Sequence, residues 1–174
     1  RVAQRIIRLI SEAHPAGPGY ELDTRLRPSG SHGMLVTSLA SFARYHGVSL
    51  SSDDAGPAVQ SSGAAWERQA LIRARGAAGA PALVQAVMRA AAQAAYEAGP
   101  PPIEDMHRLR LRMEIELGRE REGRYDLKTG RGGLLDIEFM TQWLQMSHGK
   151  DARVRSPDTG EALEALATCG YLPR

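Results

Sequence analysis

Alanine sets the first limit on what this chain can fold into. Between Ala82 and Ala98 it recurs at intervals of one to four positions, and no residue forms helix more readily, while its methyl group leaves little bulk between packed helices. Aromatic residues make up only 5% of the 174. Sandwiches and barrels use aromatic and β-branched side chains to fill their sheets, so this composition favours helix on helix. The expected class is mainly α, an α+β chain in which a short antiparallel or mixed sheet precedes a helical bundle. Hydrophobic residues at 43% and charged residues at 24% give the balance of a globular protein.

Several functions lose their support at once. The formal net charge is +2 and no uninterrupted basic block occurs, which gives nucleic-acid or membrane-surface binding no electrostatic basis. Cys169 is the single cysteine, so an internal disulfide and a cysteine-based zinc cluster are excluded. The five histidines show no H-E-x-x-H or H-x-H spacing. Such cysteine usage suits a reducing cytoplasm. No apolar run approaches the ~20 residues that cross a bilayer. Arg1 already stands inside a helical pattern, so the chain is expected to be a piece of something longer.

Periodicity divides the sequence. Val2, Ile6, Leu9, Ile10 and Ala13 have helical spacing, and Pro15 to Gly19 stop that helix. From Tyr20 to Arg27 the residues alternate, with Tyr20, Leu22, Thr24 and Leu26 on one side and Glu21, Asp23, Arg25 and Arg27 on the other. That predicts a strand with one charged face. Turn chemistry follows from Pro28 to Gly33, then a short strand over Met34 to Val36, then a helix capped by Thr37 or Ser38 and ending at His46. Residues 47–62 are rich in Ser, Gly and Asp and are expected to form a long flexible loop. A helix is predicted at Ala64 to Arg75, with Trp66 as core anchor, and after a break at Gly76 to Pro81 an Ala-rich helix reaching Glu97.

The segment Ile103 to Arg119 is conflicted. Leu109, Leu111, Met113, Ile115 and Leu117 alternate like a strand, but Leu, Met, Arg and Glu are strong helix formers. Arg110 with Glu114 and Arg112 with Glu116 add i,i+4 pairs, so helix is the expectation. A loop with Gly130, Gly132 and Gly133 opens a further helix to Met146, and Asp158 with Glu161 makes a capping-box pattern for a last helix ending at Gly170.

Three constellations could carry chemistry. Asp23, Arg25 and Arg27 would share one strand side, where a carboxylate could hold Mg²⁺ and the guanidiniums could take phosphate oxygens. The same pattern also describes a solvated face with local ion pairs. The second is D-L-K-T-G-R-G-G-L-L-D-I-E-F, residues 126–139. Glycines ahead of a helix let backbone N–H groups meet an anion, and Lys128 and Arg131 would add charge around Gly132 and Gly133. Its lysine precedes the glycines, so it is no Walker A loop. On that helix Glu138, Thr141, Gln142 and Gln145 form a polar face, while Asp136 falls among Ile137, Phe139, Met140 and Trp143. Asp136 is therefore expected to be largely buried, bonded to N–H groups of its own first turn or to Arg131 or Lys128. The third constellation, A-W-E-R-Q-A-L-I-R-A-R at 65–75, supplies Glu67, Arg73 and Arg75 as candidate supporting residues, or simply an amphipathic surface helix.

Taken in order, Y-E-L-D-T-R-L-R-P-S-G-S-H-G-M-L-V-T-S (20–38), A-W-E-R-Q-A-L-I-R-A-R (65–75) and D-L-K-T-G-R-G-G-L-L-D-I-E-F-M-T-Q (126–142) resemble the glutamine synthetase adenylyltransferases, also called glutamate-ammonia-ligase adenylyltransferases. The resemblance spans nearly the whole chain, with 47–62 as an insertion. Members carry two nucleotidyltransferase domains, one attaching AMP from ATP to a tyrosine of glutamine synthetase and one removing it by phosphorolysis, each followed by a helical domain. The resemblance implies that residues 1–78 are the later part of a nucleotidyltransferase domain and 79–174 the helical domain. It makes Asp23 the third carboxylate of a metal triad, Arg25 and Arg27 phosphate contacts, Mg²⁺ the cofactor, ATP the substrate, and glutamine synthetase and the signalling protein PII the partners. Two further aspartates after a Gly-Ser turn belong to that triad and are expected ahead of Arg1; Asp53 and Asp54 are adjacent and do not replace them. R-P-S-G, R-Q-A-L-I-R-A-R and L-L-D-I-E-F look more like the adenylylating half. Two other readings are a non-catalytic helical module that docks glutamine synthetase or PII, and a related PII uridylyltransferase, against which the string 65–75 argues.

Overall fold

The computed structural model describes residues 1–50 and 64–172. Among these, seven α-helices form: α1 Val2–Ser11, α2 Leu39–His46, α3 Ala65–Leu71, α4 Pro81–Tyr96, α5 Ile103–Leu117, α6 Leu134–Ser147 and α7 Thr159–Thr168. Short 3₁₀ turns lie at Gly30–His32 and Ala152–Val154. The chain divides into two compact units, Arg1–Gly63 and Ala64–Arg174. Helix α3 belongs to the second unit and packs on α4. The expected loop at 47–62 lies, from residue 51 onward, outside the described residues.

In the first unit α1 buries none of its side chains, and Val2, Ile6 and Leu9 lie exposed. Among the described residues the predicted sheet is not seen. Tyr20 to Arg27 is irregular, Met34 to Val36 makes no strand, and β-pairing among the described residues is confined to the isolated bridges His14–Gly17 and Arg121–Arg124. Alternation makes a strand only when a neighbour completes the ladder and covers the apolar side. Here Tyr20 and Leu26 remain exposed. Helix α2 follows the sequence closely: the Ser41 N–H donates to the Ser38 hydroxyl at 3.2 Å, and Gly47 takes a left-handed φ of 67° to end the helix.

The second unit holds the core. Ala90, Ala91, Ala94 and Ala95 are the buried stripe of α4, whose small side chains let α3 and α6 approach closely. Ile72, Tyr96 and Met146 pack there with Ala95, while Ala162 and Leu166 are the buried residues of α7 and Val154 is buried in the turn that packs on it. Trp66, the expected anchor, is 38% exposed; α3 buries Gln69 instead, and Ile72 follows at its end. α3 also stops at Leu71, short of Arg75. α7 closes with the N–H of Tyr171 donating to Leu166 O and that of Gly170 to Ala167 O, with Gly170 at φ 78°. At its start Asp158 caps the Glu161 N–H at 3.0 Å, but the Glu161 carboxylate accepts from the Ser156 hydroxyl, so the expected box is only half formed.

Helix α6 turns the opposite way from its amphipathic pattern. Thr141, Gln142 and Gln145 are buried, while Met140 is 62% exposed. Partners explain the reversal: Gln142 Oε1 accepts from Gln69 Nε2 at 2.6 Å, and Gln145 Nε2 donates to the carbonyls of Val154 and Ser156 at 2.7 and 2.8 Å. Amides satisfied in this way cost little to bury.

Candidate functional site

In the first unit, Asp23 and Arg25 form a fork. Arg25 Nε donates to Asp23 Oδ1 at 3.0 Å and Nη2 to Oδ2 at 2.7 Å, while the Arg25 N–H donates to Oδ1 at 2.9 Å. The guanidinium bonds, supported by that backbone N–H, pull the Asp23 carboxyl down to about 2. Both residues are exposed. Arg27 turns towards its own loop, its guanidinium donating to the carbonyls of Thr24 and, at 3.4 Å, Gly33. It thereby ties together a turn in which Ser29 and Gly30 are both left-handed, at φ 63° and 55°. Among the described residues no three His, Cys, Asp or Glu side chains come close enough to hold a metal ion. With both Asp23 oxygens on Arg25, these residues do not by themselves form the Mg²⁺ site that the resemblance implies.

The second unit's Gly-rich loop is built around Asp126, which the sequence reading passed over. Its carboxylate accepts from the Thr129 hydroxyl at 2.6 Å and from the N–H groups of Thr129 and Lys128 at 2.9 and 3.0 Å. These bonds, the Thr129 hydroxyl foremost, hold the carboxyl far below the usual carboxylate range. Gly130 then turns inside, where a Cβ would collide with the Glu120 carboxylate. The loop's N–H groups are engaged internally: Gly133 donates to Gly130 O, Leu134 to Leu127 O, Leu135 to Lys128 O, and Gly132 to Asp136 Oδ2 at 2.6 Å. Lys128 and Arg131 are exposed beside them. Any anion met here would meet those two side chains rather than a set of open amides.

Asp136 departs from expectation in burial and in partner. Its side chain is 35% exposed, and its Oδ1 pairs with Arg110 Nε at 2.6 Å rather than with Arg131 or Lys128. Arg110, from α5, is itself buried, and its Nη2 donates to the carbonyls of Thr129 at 3.0 Å and Gly130 at 2.8 Å. Its Nη1 reaches Glu114 at 3.5 Å. The signal was present in the sequence, because Met106, Arg110 and Met113 lie at i, i+4 and i+7 and so set a charge on an apolar face. The i,i+4 pair with Glu114 expected from the sequence is present, and it is one of several contacts that Arg110 makes.

The remaining candidates knit helices together. Glu67 reaches back to accept the Ala64 N–H at 2.9 Å at the start of α3. Arg73 pairs with Glu138 at 3.2 Å and donates to the Thr159 hydroxyl at 2.8 Å, joining the end of α3 to α6 and α7. Arg75 is exposed. Between α5 and α6 runs an apolar cleft of about 520 Å³ lined by Met106, Phe139, Met140 and Trp143, with Arg110 and Asp136 in its wall. Among the described residues no helix is long and apolar enough to cross a membrane.

The sequence that carries this fork and this Asp-braced loop matches known proteins over 99% of its length. Residues 1–90 match the family model described as glutamate-ammonia ligase adenylyltransferase. Residues 106–174 match that of the GlnD PII-uridylyltransferase. The bifunctional glutamine synthetase adenylyltransferase/adenylyl-removing enzyme of Xanthomonas campestris pv. campestris (strain B100) is 39% identical over 177 aligned positions, taking in 99% of this chain and 18% of that protein. The proteins of the same name from Stenotrophomonas maltophilia (strain K279a) and Nitrosococcus oceani are each 36% identical over 99% of this chain, which covers 18% and 17% of them. The chain belongs to the glutamate-ammonia ligase adenylyltransferase family. It spans less than a fifth of the length of these curated relatives.

Proposed function

We propose that this chain is part of an enzyme that transfers AMP from ATP to a tyrosine of glutamine synthetase, and that it comes from the adenylylating half. The observation that carries the reading is the string 20–38, in which Asp23 is presented at the surface as an ionised carboxylate by the Arg25 fork. On this reading residues 1–78 are the later part of a nucleotidyltransferase domain and 79–174 its helical companion. The tyrosine hydroxyl attacks the α-phosphorus in line, and pyrophosphate leaves. Arg25 would meet phosphate oxygens, Arg27 keeps the turn in shape, and Lys128 and Arg131 draw the nucleotide by charge. Asp23 would give one oxygen ligand to a Mg²⁺ site completed by carboxylates elsewhere in the longer enzyme, and the protein would work in the cytoplasm under control of PII.

The test is incubation with glutamine synthetase, Mg²⁺ and ATP labelled at the α-phosphate. The full-length enzyme labels the synthetase, while the 174 residues alone do not, since one carboxylate cannot organise a two-metal site. Asp23→Asn in the full-length enzyme removes most of that activity. Labelling and phosphorolysis both unimpaired in Asp23→Asn overturn the metal-ligand role, and label transferred by the chain alone overturns the partial-enzyme reading. If Asp23→Asn keeps adenylylation and loses phosphorolysis, the chain belongs to the removing half. A second reading, a helical module that docks glutamine synthetase or PII, draws on the exposed apolar face of α6 at Ile137 and Met140.

A further inference from the structure

From the geometry around α5 we infer that Arg110 is the positioning residue for the loop that carries Lys128 and Arg131. The inference rests on the reading of those two side chains as nucleotide contacts, and it extends that reading to a residue far from any phosphate contact itself. One buried guanidinium holds three points of the loop and its helix: the carbonyls of Thr129 and Gly130 and the carboxylate of Asp136. Asp136 passes the restraint onward by accepting the Gly132 N–H at 2.6 Å. The backbone is thus gripped immediately before and after Arg131, and one residue beyond Lys128.

Only an arginine fits this task. Its guanidinium sets Nε against a carboxylate as an ion pair while one Nη donates to two carbonyls, whereas a lysine offers one ammonium that cannot span the three acceptors. The carbonyls turned inward to Arg110 leave the flanking side chains of Lys128 and Arg131 outward and exposed. Because the amides of Gly130, Gly132, Gly133, Leu134 and Leu135 are bonded within the loop, its attraction for phosphate rests chiefly on those two side chains, and their reach depends on where the backbone is held.

The experiment uses the full-length enzyme with Arg110→Met, Arg110→Lys, Asp136→Asn, Lys128→Ala and Arg131→Ala, followed by hydrogen exchange and by adenylylation kinetics against ATP. In Arg110→Met, peptides covering 126–136 exchange about tenfold faster while those covering α7 keep their protection. Arg110→Lys restores protection only in part, and Asp136→Asn, which keeps the shape of the side chain, reproduces the effect more weakly should Arg110→Met fail to fold. The KM for ATP rises about fivefold in Arg110→Met with a smaller change in kcat, matching Lys128→Ala and Arg131→Ala and adding little to them in combination. Unchanged exchange at 126–136 in a folded Arg110→Met overturns the positioning role, as does full rescue by Arg110→Lys. If exchange accelerates while none of the variants moves KM, the clamp stands and the nucleotide reading of Lys128 and Arg131 is overturned.

Discussion

The segment Tyr20–Gly33 and the loop Gly118–Asp136 are both short, rich in glycine and arginine, and organised by an aspartate–arginine pair. Asp23 meets Arg25 two residues along one exposed stretch. Asp136 meets Arg110 across two helices, with the guanidinium buried. The first pair orders little beyond its own turn, because both partners keep most of their water and an ion pair of that kind contributes little. The second closes a loop against a helix, and breaking it would strand a charge away from water. The difference lies in the neighbourhood: around Asp23 the apolar side chains of Tyr20 and Leu26 are exposed, whereas around Arg110 Met106 and Leu135 are buried. A carboxylate whose restraint is local and solvated can exchange its partner for a substrate or an ion. One whose restraint is built into the fold cannot do so without loosening what it holds.

The largest difference should therefore appear in stability. Arg110→Ala should lower the chain's unfolding free energy by about 3 kcal/mol, towards the low end for breaking a buried pair because Asp136 keeps some water. Arg25→Ala should leave the urea midpoint where it was. Equal midpoint shifts would break the comparison. Next in size is Gly130→Ala, which forces a methyl against the Glu120 carboxylate and the Asp126 carbonyl and should cost about 1–3 kcal/mol as an overpacked site. Gly132 has open space around it and a φ of 74°, so Gly132→Ala meets only backbone strain, about 1 kcal/mol. A Gly130→Ala chain as stable as Gly132→Ala would show that the loop does not close inward.

What was legible in the sequence follows the same line. Elements fixed by local chemistry were readable: the Ser38 cap, the end of α2 at His46, the Asp158 cap and the helix over 103–117, where propensity outweighed an alternating pattern. Elements that depend on a distant partner were not. The 20–27 alternation needed a neighbouring strand that the described residues do not supply, and the polar face of α6 needed Gln69, seventy-three positions away, before it could be buried. The Arg110–Glu114 pair was legible and forms at 3.5 Å, but the further acceptors of Arg110, the Thr129 and Gly130 carbonyls, carry no signature in sequence. The exposed fork of Asp23 and Arg25, by contrast, was visible from residues two apart.

The smallest expected effect is one of titration, and it separates two of the carboxylates that hydrogen bonds hold low, Asp23 and Asp126. Asp23 is depressed to about 2 from an ordinary 3.8 by Arg25. A group lowered in the folded state adds stability above its ordinary value and loses it as pH falls through the lowered one. Asp23's contribution should thus be intact above about pH 4 and gone near pH 2, with little change in overall stability because the pair is exposed. Asp126 is held down chiefly by the Thr129 hydroxyl and N–H groups, so it shares the direction and has a different cause. Carboxyl-carbon NMR titration tells them apart. Arg25→Gln should bring the Asp23 midpoint back towards 3.8 and leave Asp126 unmoved, while Thr129→Val should raise Asp126 alone. If Asp23 already titrates near 3.8 in the unaltered chain, its carboxylate is not held by Arg25 in solution, and the two regions differ in burial but not in how each presents its acid.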